Sequence, residues 1–306
     1  MSIEPAPEIW TTRKLLAWMG QAFAKRELES PRLLAEMLMA HVVGCDRIKL
    51  YTDPDRPAAP LERETLRDLV GRALKHEPVQ YLVGEAWFFG LPFKVDRRCL
   101  IPRPSTETIV EFVLQRHRAA HGIGNQQGGG LLIGDVCTGS GCIAVSLLKH
   151  FTQARAVATD ISEPALEVAR ENARRHGVSD RIEFLAGNLL GAFDHNPGAY
   201  GAGCFDYILS NPPYIPDDEW DAVEPNVKDH EPHLALRGGT DGLDLVRPLV
   251  SHAPALLKSG GQVLIEVAAA RAGQALELLA TNPLVTDARV LKDFEGLNRV
   301  IVARRL

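Results

Sequence analysis

Residues Asn211-Pro212-Pro213-Tyr214 carry the most specific chemical signal in the chain. They directly follow an apolar run, Phe205-Asp206-Tyr207-Ile208-Leu209-Ser210, whose pattern predicts a buried strand. Two consecutive prolines lack N–H donors and fix φ, so no sheet ladder continues past Asn211. The residue before a proline is pushed out of the helical region, which holds Asn211 extended at the strand's carboxyl end. Open α/β sheets bind their ligands there. The Asn211 side-chain carbonyl and the backbone carbonyls beside the prolines can then accept hydrogen bonds, and Tyr214 offers an aromatic face. Acceptors beside a flat surface suit a planar –NH2 group, either a carboxamide or the exocyclic amine of a base. The plain alternative is an Asn-Pro turn with a structural tyrosine.

A second constellation lies upstream. Asp135-Val136-Cys137-Thr138-Gly139-Ser140-Gly141-Cys142-Ile143-Ala144 places Gly139 and Gly141 right after a predicted strand. Glycines there let the backbone turn tightly and approach a ligand closely. Asp160 ends the next predicted strand, at the offset of about twenty residues expected of an acid that accepts both ribose hydroxyls of a nucleoside. This spacing also fits the G-x-G-x-x-A fingerprint of NAD sites, so alone it leaves a nicotinamide cofactor and a methyl donor both open. The combination favours the methyl donor. Asp135 could act, directly or through water, near the cationic methionine end of S-adenosylmethionine. The strand ending in Asn211 would neighbour the glycine-loop strand in a doubly wound order, turning Asn211-Pro212-Pro213-Tyr214 toward the sulfonium methyl group. No residue stands out as a hydride-transfer acid or base.

The elements that must position these groups begin with helices. Thr11 or Thr12 can cap a helix carrying Leu15, Leu16, Met19 and Phe23 on one face. Ser30-Pro31 reads as a cap and a first-turn proline, with Gly44 as the stop. A third helix is expected over 61–75, and the three make a small helical bundle. Residues 86–89 and 91–95 flank Gly90 as a β-hairpin that is aromatic on one side. Two prolines keep 100–104 extended. Ser105 or Thr106 is expected to cap a helix over 107–118, with Arg103 and Glu107 as solvated cap residues. The Gly/Gln-rich run 122–130 reads as a surface loop. From residue 131 strands and helices alternate. Strands are predicted at 131–136, 154–159, 182–185, 207–210, 262–267, 286–291 and 299–303. Helices are predicted at 142–150, 164–176, 243–257 and 271–281. Repeated βαβ units imply a mostly parallel, doubly wound α/β sheet. The last two strands lack a helical spacer, so one is expected to return antiparallel at an edge.

Bulk properties narrow the class. The 306 residues, 45% apolar and 24% charged, are enough for two domains with a substantial core. A net charge of −5 gives no basic field for nucleic acid. Five cysteines, none in a C-x-x-C pair, point to a reduced, cytoplasmic protein rather than a disulfide scaffold or zinc site. Residues 1–10 lack the basic start and apolar core of a signal peptide, and no apolar run reaches membrane-spanning length.

The motifs together resemble the HemK/PrmC family of protein-(glutamine-N5) methyltransferases over nearly the whole chain. The family's stretches appear as Ser30-Pro31-Arg32, His76-Glu77-Pro78-Val79-Gln80-Tyr81-Leu82-Val83-Gly84, and Leu100-Ile101-Pro102-Arg103-Pro104 with Thr106-Glu107. Thr138-Gly139-Ser140-Gly141, Asn211-Pro212-Pro213-Tyr214, Glu231-Pro232, Ala235-Leu236 and Gly238-Gly239-Thr240-Asp241-Gly242-Leu243 follow. The resemblance implies three segments. A helical substrate-recognition domain would span 1–84, a hairpin linker 85–104, and a class I (Rossmann-like) methyltransferase domain with a seven-stranded sheet 105–306. It implies S-adenosylmethionine as donor and, as acceptor, the glutamine of the Gly-Gly-Gln motif in peptide chain release factors, hence a role in translation termination. The cofactor residues carried over are Asp135, Cys137, Thr138, Gly139, Ser140, Gly141, Asp160, Asn188, Leu189 and Asn211. Two depart from the family pattern: Cys137 stands where many relatives have glycine, and Asn188 where an aspartate is common. No metal is implied, and the expected state is a monomer without membrane or direct nucleic-acid contacts.

In the implied mechanism Asn211 Oδ1 and the Pro212 carbonyl accept the two N–H bonds of the acceptor amide, with Pro213 shaping the turn and Tyr214 packing against the amide plane. The methylated nitrogen then loses its proton to water. A sister group modifies a glutamine of a large-subunit ribosomal protein, and the Cys-Thr-Gly-Ser-Gly-Cys run resembles that group. The N-terminal helices and intact Ile101-Pro102-Arg103-Pro104 resemble the release-factor group more closely. Other readings are a nucleic-acid amine methyltransferase, which would need a basic groove, an NAD-linked oxidoreductase, and a binding protein that keeps the cofactor fold without catalysis.

Overall fold

A computed structural model describes residues 9–121, 127–195 and 200–306. Most of the 1–10 segment and of the 122–130 loop therefore lies outside the described residues. Two compact units are present, Met1–Gly84 with Pro225–His230, and Glu85–Glu224 with Glu231–Leu306.

In the first unit, α1 (Thr12–Lys25) starts at Thr11, whose hydroxyl accepts from the Lys14 N–H at 3.4 Å. Leu15, Met19 and Phe23, one turn apart, are buried. Helix α2 (Pro31–Val43) stops at Gly44, left-handed at φ 72°. Ser30 sits at its N-cap position but makes no capping hydrogen bond and is itself left-handed at φ 51°, so only the proline of the expected start signal operates. Helix α3 (Pro60–Ala73) buries Leu66, Leu69, Val70 and Ala73. A fourth helix, α4 (Val79–Val83), is too short to show a periodic pattern in sequence.

The second unit opens with β1 (Glu85–Phe88) and β2 (Leu91–Lys94), paired antiparallel from Glu85↔Lys94 to Phe88↔Leu91. Phe89 and Gly90 both take positive φ, 49° and 74°, as a two-residue hairpin turn requires. Phe88 and Phe93 are buried on one face and Trp87 is exposed on the other. After α5 (Glu107–His121) come β3 (Leu132–Val136), α6 (Cys142–His150), β4 (Arg155–Asp160), α7 (Glu163–Arg175), β5 (Ile182–Ala186) and β6 (Phe205–Ser210). A short α8 (Pro225–Lys228) belongs to the first unit. The chain ends with α9 (Val246–Leu256), β7 (Leu257–Glu266), α10 (Ala272–Ala280), β8 (Val285–Lys292) and β9 (Asn298–Arg305).

The seven-stranded sheet has the order β5-β4-β3-β6-β7-β9-β8, a class I methyltransferase sheet that is mostly parallel. Its antiparallel strand is β9, and it lies between β7 and β8 rather than at the edge as the sequence predicted. The reason is burial. Val300, Ile301, Val302 and Ala303 are all fully buried and need neighbours on both sides, whereas β8 is largely half-exposed and suits an edge. Among the described residues no helix is long and apolar enough to cross a membrane.

One buried amide ties the hairpin to the sheet unit. Asn172 on α7 is fully buried; its Oδ1 accepts from the Lys94 N–H at 2.7 Å, and its Nδ2 donates to the carbonyls of Lys94 at 3.0 Å and Ser140 at 2.9 Å. Asn172→Ala leaves those three backbone groups without the amide. A loss of about 2–3 kcal/mol is expected in urea unfolding. A loss below about 0.5 kcal/mol, the level of a surface substitution, would mean that these bonds do not hold the hairpin.

Candidate active site

The sheet brings both constellations to one edge. Val136, the last residue of β3, pairs with Thr159 of β4 on one side and Ser210 of β6 on the other. Asp160 pairs with Ala186, the last residue of β5. The segments that follow these four strands therefore leave neighbouring carboxyl ends: Cys137–Gly141, Asp160, Asn188 with Leu189, and Asn211 with its prolines.

The glycine loop is held from behind by Asp135. This fully buried carboxylate accepts on Oδ2 from the Thr138 hydroxyl at 2.7 Å and the Ala144 N–H at 3.2 Å. The Thr138 N–H donates to the Thr159 carbonyl at 2.9 Å. Cys137 is left-handed at φ 61°, a conformation that glycine takes more easily. Gly139 donates to Asp160 Oδ2 at 2.9 Å, and a Cβ added there would meet open space, so the loop has a clear face. Asp160 Oδ1 accepts from the Ser162 N–H at 2.9 Å. Each of its oxygens keeps a lone pair for a ligand hydroxyl. Asn188 is exposed, and Leu189, at φ 49°, turns the chain beside it.

The turn after β6 is anchored on every side. The Ser210 hydroxyl donates to the Val136 carbonyl at 2.8 Å. Pro212 and Pro213 are buried, while Asn211 and Tyr214 are half-buried. Asn211 Nδ2 donates to Thr106 Oγ1 at 3.0 Å, and no hydrogen bond among the described residues occupies Asn211 Oδ1. The Tyr214 hydroxyl donates to Glu266 Oε1 at 3.3 Å, and the Ser105 hydroxyl reaches the same oxygen at 3.3 Å. Of the two hydroxyls expected as helix caps, that of Ser105 is thus engaged with a carboxylate at the end of β7, and that of Thr106 accepts from Asn211.

Arg103 and Glu107 also depart from expectation. Arg103 pairs with Glu231, a buried acid that accepts the Ile101 N–H at 3.0 Å, and Glu107 accepts the Phe89 N–H at 2.7 Å. These partners fix the extended segment that carries Thr106 to Asn211. Behind Tyr214 two glycines allow close backbone approach. A Cβ on Gly238 would stand 2.6 Å from Tyr214 Cα, and one on Gly242 would stand 2.5 Å from the Tyr214 carbonyl oxygen. Sequence reasoning gave Glu231, Gly238 and Gly242 no physical role and passed over Glu266. The signal for Glu266 was an acid inside the apolar run Val263-Leu264-Ile265-Glu266-Val267.

Comparison with known proteins supplies the lineage. The PrmC N-terminal domain family matches residues 14–84 and a methyltransferase domain family matches residues 133–230. The release factor glutamine methyltransferase of Chlorobaculum tepidum is 41% identical, over 96% of this chain and 97% of its own. That of Geobacter sulfurreducens is 39% identical, over 97% of this chain and 98% of its own. That of Rhodopirellula baltica is 35% identical, over 95% of each. The chain belongs to the release factor glutamine methyltransferase family.

In this methyltransferase the loop fits a donor of the S-adenosylmethionine type. Asp160 keeps acceptors for ribose hydroxyls and Gly139 faces open space. Asp135 Oδ1 is buried without a hydrogen-bond partner, which suits a cation or an ordered water beyond the loop. Among the described residues no group of three or more His, Cys, Asp or Glu could hold a metal ion, and no disulfide joins the five cysteines.

Burial pushes the Asp135 carboxyl up to about 7, opposed by its Thr138 and Ala144 bonds and reinforced by the Asp160 charge. A carboxyl raised on folding stabilises the fold through its bound proton at low pH, and that contribution is lost as pH rises toward its folded value. Asp135→Asn keeps an acceptor for Thr138 and Ala144 without this titration. In cofactor-free protein the variant's stability relative to wild type should rise between about pH 4 and about pH 7 and then level off. A difference independent of pH in urea unfolding would contradict a titrating Asp135.

Proposed function

We propose that this enzyme transfers a methyl group from S-adenosylmethionine to the side-chain nitrogen N5 of the glutamine in the Gly-Gly-Gln motif of peptide chain release factors. The observation that carries this reading is the Asn211 amide, tied through Nδ2 to Thr106 with Oδ1 left as an acceptor, one strand away from the glycine loop. The relatives, named release factor glutamine methyltransferases, support the acceptor class. The helical segment 1–84 serves acceptor recognition, 85–104 links it, and 105–306 carries the chemistry. The enzyme works as a cytoplasmic monomer.

Asp160 holds the ribose hydroxyls, Cys137, Thr138, Gly139, Ser140 and Gly141 line the donor's path, and Asn188 and Leu189 flank its adenine. Asp135 meets the cationic amino-acid end, directly or through water. When bound, the donor supplies an electrophilic methyl group on a sulfonium. An amide nitrogen is a weak nucleophile because its lone pair is delocalised. Asn211 Oδ1 and the Pro212 carbonyl accept its two N–H bonds, which orients the nitrogen and favours the positive charge that develops on it. Pro213 keeps the turn rigid, and the Tyr214 ring lies along the amide plane. With charge stabilised in this way no strong base is needed beforehand, and water takes the proton afterwards.

Asn211→Ala is expected to lower kcat by roughly 10²–10³, as for loss of one preorganised polar contact, while affinity for S-adenosylmethionine changes much less. Labelled donor should enter intact release factor but not a variant whose Gly-Gly-Gln glutamine is changed to Asn. Label entering a large-subunit ribosomal protein instead would keep the chemistry and change the partner. Unchanged turnover in Asn211→Ala would remove Asn211 from the mechanism.

A further inference from the structure

The backbone of Tyr214 is held on two sides. The prolines before it fix the turn, and Gly238 and Gly242 lie so close behind it that a Cβ on either would collide with it. The ring is not held in this way. Rotation about χ1 swings a tyrosine ring among staggered directions, and each puts the ring in a different place relative to Asn211. The phenolic oxygen lies on the ring's long axis, so a partner at that oxygen selects one direction whatever the rotation about χ2. That partner is Glu266 Oε1, at 3.3 Å. The Ser105 hydroxyl donates to the same oxygen at 3.3 Å, and Oε2 has no hydrogen-bond partner. Glu266 is fully buried and ends β7, where the preceding residue, Ile265, pairs with Ser210, the residue before Asn211. The acid is thus fixed in the same sheet register as the turn. At 3.3 Å each bond is long for a hydroxyl donor, so it contributes direction more than stability. An ionised carboxylate and a carboxyl protonated on Oε2 both leave Oε1 as an acceptor. Asn211 in turn meets Thr106, the neighbour of Ser105, at 3.0 Å. Both side chains that would touch an acceptor amide are therefore anchored outside the turn, Asn211 on Thr106 and Tyr214 on Glu266.

We propose that Glu266 is a positioning residue that tethers the Tyr214 hydroxyl and so holds the ring axis beside the acceptor amide. This inference rests on the acceptor-amide reading above and adds what keeps the ring in place. Without the tether the ring visits its other staggered directions, and each departure removes one wall from the bound amide. A small misplacement of the reacting nitrogen is costly in rate, whereas the donor, bound along the glycine loop, does not depend on the tether.

The test is a double-mutant cycle on the full chain, with intact release factor as substrate. Tyr214→Phe keeps the ring and removes the hydroxyl. It should lower kcat by roughly threefold to thirtyfold, with affinity for S-adenosylmethionine within about twofold of wild type. Glu266→Leu removes the acceptor oxygen and should lower kcat by a similar factor. Both changes break the same bond, so the variant carrying both should be no slower than the slower single one. Glu266→Gln keeps an acceptor oxygen without the charge and should recover most of the rate lost in Glu266→Leu. If Glu266→Gln is as impaired as Glu266→Leu, charge rather than the tether is what matters, and the proposal is overturned. It is equally overturned if Tyr214→Phe leaves kcat unchanged, if the two losses multiply in the double variant, or if donor affinity falls in parallel with kcat. Where Glu266→Leu fails to fold, Tyr214→Phe and Glu266→Gln decide: an unchanged rate in the first, or an equal loss in both, overturns the tether. Failure of the wild type to label any release factor would overturn the functional reading instead. The same cycle on the acceptor the wild type does label would then decide the tether.

Discussion

The in-register ending of β3 and β6 is the constraint on which the site depends. These strands are parallel neighbours, with Val136 opposite Ser210, and the Ser210 hydroxyl closes onto the Val136 carbonyl. Each ladder stops at the same level for a different local reason. After β3 the chain enters the left-handed conformation at Cys137, and after β6 the prolines remove the donors that a further rung would need. A shift of one residue in this pairing would turn Asn211 to the opposite face of the sheet. The adjacency of the glycine loop and the Asn-Pro-Pro-Tyr turn is thus a property of sheet register, secured by the apolar residues Ile133, Ile208 and Leu209 in the core.

Around that register, acids act over long sequence distances. Glu231 fixes the extended segment through Arg103 and the Ile101 N–H, and Glu107 ties the hairpin turn at Phe89 to the start of α5. Glu266 collects Ser105 and Tyr214 from opposite flanks of the turn. The extended segment, which in sequence looks like a linker, is therefore tied to the same unit as the turn at Asn211, through Glu231 and through the bond of Asn211 to Thr106.

Much of the architecture was legible in sequence because local pattern decides it. The strand before Asn211, the glycine loop and the helix at Cys142–His150 each follow from apolar runs, prolines and glycines within a few residues. What escaped is what depends on a partner far away. Ser105 and Thr106 look like caps because Ser and Thr before a helix usually are, yet the partner of Ser105, Glu266, lies 161 residues on, and that of Thr106, Asn211, lies 105 residues on. The position of β9 depended on comparing its burial with that of β8, which alternation alone did not reveal. Gly238 and Gly242 needed the backbone of Tyr214 beside them before their lack of a side chain had a reason.

The carboxylate of Glu266 makes little sense as a stabilising element alone. It is fully buried, burial raises its affinity for a proton, and the nearby Arg299 is bonded to Asp293 at 3.1 Å. A buried acid held by hydroxyls rather than by a close cation recovers only part of its lost hydration, and an apolar side chain there would be less costly. What an apolar side chain could not supply is direction. A carboxyl oxygen that accepts from several hydroxyls forces each of them to donate inward, and so orders the lone pairs on their outer sides. In this fold the ordered hydroxyls are those of Ser105 and Tyr214. One buried acid thereby holds the Ser105 and Tyr214 hydroxyls together, while the prolines fix the backbone that leads into Tyr214.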